Sequence, residues 1–76
     1  MPIHSTMDIY SLPGSLVRFT NLDAGYKGDQ ERAAKYLELN KTYRVDEIHV
    51  GSFSTRVYLV GIPGVNFNSV LFINVY

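Results

Sequence analysis

From Leu16 onward the chain repeatedly alternates apolar and polar residues, the period of a strand with one face in a core. In Ser15-Leu16-Val17-Arg18-Phe19-Thr20, Val17 and Phe19 share one face and Arg18 and Thr20 the other. Farther on, Tyr43 and Val45 share a face, and so do Ile48 and Val50, but with the opposite parity. One inserted residue near Asp46-Glu47 gives both pairs a common inner face, so a β-bulge is expected there, with the bend that a bulge imposes. Thr55 to Gly61 then returns with Val57 and Leu59 inward and Tyr58 and Val60 outward. Gly51-Ser52-Phe53-Ser54 reads as the hairpin turn between the two, and Ile62-Pro63-Gly64 as the next turn. Val65-Asn66-Phe67 is a short strand, Asn68-Ser69-Val70 one tight turn, and Leu71 to Tyr76 a closing strand.

The intervals between strands differ in character. Residues 21–29 hold Asn21, Asp23, Gly25, Gly28 and Asp29 and read as a long irregular loop. Within residues 29–38, Ala33, Ala34, Leu37 and Glu38 favour helix, Asp29 is placed to cap it, and Ala33, Tyr36 and Leu37 fall on one face. One or two helical turns are expected, too short to persist without packing. Leu37 and Leu39 alternate with Glu38, and Asn40-Lys41 is a turn, since Asn tolerates positive φ. Residues 1–14 show no period. Pro2, Pro13 and Gly14 mark them as an arm ending in a turn at Leu12-Pro13-Gly14, with Ile9, Tyr10 and Leu12 able to dock as a short edge strand. The chain thus divides into an arm, 1–14, and a single domain, 15–76. The fold class is mainly β: a small five-stranded barrel with a long first loop carrying a short helical turn. The apolar C-terminus is accounted for as the strand that closes the barrel.

Composition sets the source of stability. A chain of 76 residues without cysteine has no disulfide or thiolate metal site, so its core must come from side chains, of which 46% are hydrophobic and 13% aromatic. Seven Lys plus Arg balance seven Asp plus Glu. A domain that binds nucleic acid by phosphate neutralisation usually carries a basic excess, so zero net charge disfavours that partner. No apolar run reaches the ~20 residues of a membrane span. The first ten residues lack the basic-then-apolar layout of a secretory signal. A soluble, cytoplasmic protein is the expectation.

The order of these segments resembles the small Src-homology-three-like barrel proteins of bacteriophages and other mobile elements. The resemblance rests on Leu39, Lys41, Tyr43 and Val45, on Leu59 and Gly61, and on Phe67, Asn68, Ser69, Val70 and Phe72, and it covers residues 15–76. Asn40 stands where glycine is frequent in such turns. The resemblance implies the Src-homology-three-like form of the barrel and a phage-type small protein. It does not by itself fix a function.

Chemistry-bearing patterns are sparse. His4 with Asp8, and Asp46 and Glu47 with His49, could be imagined as metal ligands, but adjacent strand residues point to opposite faces. No metal or cofactor is expected. Ser, His and Asp occur without a nucleophile elbow, and a small barrel offers little cavity, so no catalytic residue is assigned. Gly25-Tyr26-Lys27-Gly28-Asp29 lacks phosphate-loop spacing. The aromatic residues are more informative. Phe19, Tyr43, Phe67 and Phe72 have core parity. Tyr26 and Tyr36 in the long loop, Phe53 at the hairpin tip and Tyr58 on an outward face do not, and Arg56 is close to Tyr58 in sequence. Tyrosine and arginine are favoured interface anchors. These five residues are the candidate partner-binding set of a non-enzymatic protein-binding module, one that occludes a surface of a host or defence protein. The alternative is a nucleic-acid-binding small barrel that uses Arg18, Lys41, Arg44 and Arg56 with stacking on tyrosine.

Overall fold

A computed structural model describes residues 6–75; His4 and Tyr76, weighed above, lie outside them. Five strands and one α-helix follow in the order β1 (Leu16–Phe19), α1 (Lys27–Tyr36), β2 (Thr42–Val50), β3 (Thr55–Leu59), β4 (Ile62–Asn68), a 3₁₀ turn (Ser69–Leu71) and β5 (Phe72–Val75). All neighbours are antiparallel, and the sheet order is β4-β3-β2-β1-β5.

The expected bulge is present: the β2–β3 register shifts between Val45 and Glu47. Val45 pairs with Leu59 before the shift and Ile48 with Val57 after it, so both sides of the bulge feed one core. Val50 had been expected to continue inward, but it is 51% exposed, because β2 there runs past the core into the hairpin. The Asn40 turn also forms as expected, with Asn40 at φ 68°. Leu37 is buried, while Leu39 is exposed at this turn rather than paired in a strand. Ile62-Pro63-Gly64, expected as a turn, instead opens β4. Proline is tolerated there because β4 is a sheet edge and need not donate on both sides.

The sheet does not close into the expected barrel. Its end strands, β4 and β5, are joined through the 3₁₀ turn but do not pair with each other. Each edge meets something else. Arg32 of α1 donates to the Asn66 carbonyl of β4 at 3.3 Å. The arm lies on β5: the Met7 N–H donates to the Phe72 carbonyl at 2.7 Å, and the Asp8 N–H to Asn74 Oδ1 at 2.6 Å. Covering an edge with a helix or a loop suppresses edge-to-edge association without closure.

The core gathers Val17, Phe19, Val45, Val57, Leu59, Phe67, Leu71 and Phe72, with Ala33 and Leu37 from the helical segment. Met7 completes it from the arm and is 2% exposed, whereas Tyr10 and Leu12, expected to dock, are exposed. The arm therefore binds through one methionine and a few hydrogen bonds and not as a strand. Met7→Ala should lower stability by about 2 kcal/mol, the low end for a buried Met at a fraying terminus. Urea denaturation of the two proteins measures it; an unchanged midpoint would mean that the arm is not docked in solution.

Candidate functional site

A cleft of about 770 Å³ opens between three segments: residues 21–26 after β1, the β2–β3 hairpin, and the 3₁₀ turn before β5. Tyr26 and Phe53 are the aromatic residues lining it, 61% and 94% exposed. Ala24 and Val70 add apolar surface; Ser52, Ser54, Thr55 and Ser69 add hydroxyls.

The cleft's first wall is set by α1. The helix begins at Lys27, two residues before the expected start, with Tyr26 as its N-cap. Asp29 is the third helical residue, and its Oδ2 accepts the Tyr26 N–H at 3.2 Å, half of a capping box. Only 5% of Asp29 is exposed. Its carboxylate also accepts from Arg56 Nη1 of β3 at 2.5 Å and from Asn68 Nδ2 of β4 at 3.1 Å. Burial alone would push this carboxyl up. The hydrogen bonds from Arg56, Asn68 and the Tyr26 N–H, with the charge of Arg56, outweigh that and hold it below its ordinary value.

Neighbouring groups lock the same corner. Asn68 Oδ1 accepts the Val70 N–H at 3.2 Å and so caps the 3₁₀ turn. Asn21 Nδ2 donates to the Val70 carbonyl at 3.0 Å, and Gln30 Nε2 to the Asp23 carbonyl at 2.8 Å. Gly25 has φ +77°, and a Cβ there would stand 3.3 Å from Asp29 Oδ2. The positive φ favours glycine, and a Cβ would press on the Asp29 carboxylate. The loop of residues 21–26, read from sequence as irregular, is thus fixed on both sides.

The five candidate binding residues fall in three places. Tyr26 and Phe53 share the cleft. Arg56 and Tyr58 project from the β3 face opposite the core, across from Asn68 and Asn66. Arg56 there is part of the internal tie to Asp29, and Tyr58 is half-buried beneath His49, ring to ring at 5.3 Å. Tyr36 sits at the far end of α1 from Tyr26, edge-on to Phe67 at 6.4 Å. The working partner of Arg56, Asp29, was not among the candidates, nor was Asn68, which donates to the same carboxylate. The acid three residues after the loop aromatic was the available signal for Asp29. No group of three or more His, Asp or Glu able to hold a metal occurs among the described residues.

The family model for bacteriophage T4 protein Y07B matches residues 15–75, which span β1 to β5 and every wall of the cleft except the arm's Thr6. The chain belongs to this Y07B family. No curated protein and no solved structure matches it closely. The phage-type small protein read from sequence is therefore supported at the level of family. The Y07B match begins at Ser15 and does not include the arm.

Proposed function

We propose that this Y07B-family chain is a non-enzymatic protein-binding module, acting in the cytoplasm of the infected cell, whose cleft takes a segment of a host or defence protein and occludes it. The observation that carries this reading is Phe53, a large apolar side chain left 94% exposed at the rim of the cleft, opposite a loop held rigid by Asp29. An exposed aromatic beside a preformed concavity is how interface anchors are presented, because little ordering entropy remains to be lost on binding. Tyr26 is the second anchor. Arg56 contributes indirectly, through Asp29, by fixing the wall that carries Tyr26.

The Src-homology-three-like reading of the fold belongs to the same proposal. It is supported by the sheet order β4-β3-β2-β1-β5, by the bulge that bends β2, and by the single 3₁₀ turn before the last strand. The departures are the open β4–β5 seam and the ten-residue helix in the first connection.

Capture from a host lysate by the tagged protein, run in parallel with Phe53→Ala and Tyr26→Ala, tests the reading. Each substitution should weaken retention of the specific partner by about 2 kcal/mol. Phe53→Ala should leave thermal stability within about 0.5 kcal/mol of the parent. Equal retention by both folded variants would sink the cleft as the binding site. Retention abolished by added salt and restored with an oligonucleotide as the bound species would support the nucleic-acid alternative instead.

A further inference from the structure

A second surface lies away from the cleft, on the outer face of β5, β1 and β2. Register places its residues. Leu16 pairs with Val75 on one side and Arg44 on the other, and Arg18 pairs with Ile73 and Thr42. Directly opposed residues of antiparallel strands share a face. The result is a patch of three half-covered to exposed aliphatic residues, Leu16, Ile73 and Val75, bordered by two exposed arginines. A depression beside it is lined by Tyr10 and Leu12, both exposed, with Leu16 and Val75 and with the polar Asp8 and Asn74, so the surface continues onto the arm.

The arginines are underused. The Arg18 side chain makes no hydrogen bond or ion pair to any described residue. Arg44 donates one N–H to the Gly14 carbonyl at 2.7 Å. Asp46, the next acid along β2, sits at the bulge and pairs with neither. Arg18 and Arg44, at diagonal positions of β1 and β2, keep free donors and form no ion pair. Asp8 in the neighbouring depression accepts the Tyr10 N–H instead of answering them, so the two arginines carry the charge complementary to an acidic partner. A guanidinium fork matches a carboxylate in two parallel hydrogen bonds. Tyr43, which neighbours Arg44 in sequence, turns its ring toward the core and its hydroxyl to the Glu38 N–H at 2.8 Å. No ring therefore stands between the arginines, and although Tyr10 is exposed in the depression with Leu16 and Val75, a chain of zero net charge favours a protein over a nucleic acid.

We infer that this face is a second docking surface, for an acidic segment of a partner protein in which carboxylates alternate with aliphatic side chains. Arg18 and Arg44 hold the carboxylates, and Leu16, Ile73 and Val75 receive the aliphatic groups. The chain then bridges two partners or grips one at two places.

The test is a nuclear magnetic resonance titration of the isotope-labelled full chain with a peptide of alternating Glu and Leu. A Lys–Leu peptide and an oligothymidylate serve as the other arms. The Glu–Leu peptide should shift the amides of Leu16, Arg18, Arg44 and Ile73 and leave those of residues 51–54 unmoved. Arg18→Glu and Arg44→Glu should each weaken it by at least about tenfold, through loss of the charge-assisted hydrogen bonds and the like-charge repulsion put in their place, without unfolding an exposed face. Phe53→Ala should leave the titration unchanged, which separates this surface from the cleft. Four results would overturn the inference: no shift with the Glu–Leu peptide at millimolar concentration, equal shifts with the Lys–Leu peptide, stronger shifts with the oligonucleotide, or concentration-dependent shifts of these amides without any ligand. The last would assign the face to a second copy of the chain.

Discussion

Phe72→Ala should cost about 3–5 kcal/mol, the range for truncating a fully buried phenylalanine. A chain of 76 residues has about 4–11 kcal/mol in total. The variant should be largely unfolded or close to it at 37 °C. Phe72 has no exposed surface, and its ring contacts Phe19 and Phe67, each with centroids 6.2 Å away. It also begins β5 opposite Phe19, and its carbonyl receives the Met7 N–H. The cavity left by the ring would therefore lie where β1, β5 and the arm meet, with no neighbour free to collapse into it. Urea denaturation followed by far-ultraviolet dichroism measures the loss. A midpoint matching the parent would show that the closing strand is not seated on the core.

Asp29→Ala should cost about 2–3 kcal/mol. Removing one partner of a buried ion pair costs more, but Arg56 keeps a side chain 30% exposed and recovers part of its hydration. The substitution also strips an acceptor from Asn68 and from the Tyr26 N–H, so the helix start and the cleft wall loosen together. A double cycle with Arg56→Ala should give a coupling above about 1 kcal/mol. The same group predicts an acid response. Its carboxyl is lowered in the folded chain, so the unfolded chain binds the proton first and stability rises with pH. The contribution is complete above the ordinary carboxylate range and is lost as pH falls through and below it. Urea midpoints at pH 6 and pH 3 should therefore differ less for Asp29→Asn than for the parent. An equal difference would place the acid sensitivity in other carboxylates.

Much of the fold was legible because its signals are local. Strand parity showed Val17, Phe19, Val45, Val57, Leu59 and Phe72 facing inward, and all are buried. The parity break after Val45 located the bulge, and Asn40 located a positive-φ turn. Pleat and turn chemistry are properties of a few adjacent residues, so a single sequence carries them. Val50 and Leu39 were misjudged for the complementary reason. Their parity was read from neighbours, but exposure depends on whether anything lies above the strand at that point.

The sequence by itself determined the number of strands and most of their inward faces, the bulge, the presence of one helix and the apolar segment that ends the chain. It did not determine the start of β4 at Ile62, the exposure of Val50 or the helix start at Lys27. Only the tertiary structure decided that the sheet stays open, because the arm and α1 occupy the β5 and β4 edges through contacts such as Met7 to Phe72 and Arg32 to Asn66. It alone brought Tyr26 beside Phe53 and set Tyr36 apart. It also turned Arg56 from a surface candidate into the partner of Asp29, 27 residues away in sequence. Those outcomes depend on which distant groups meet once the core has formed. A buried carboxylate draws in whatever donors the fold places within reach, and no local pattern of hydrophobic and polar residues encodes that choice.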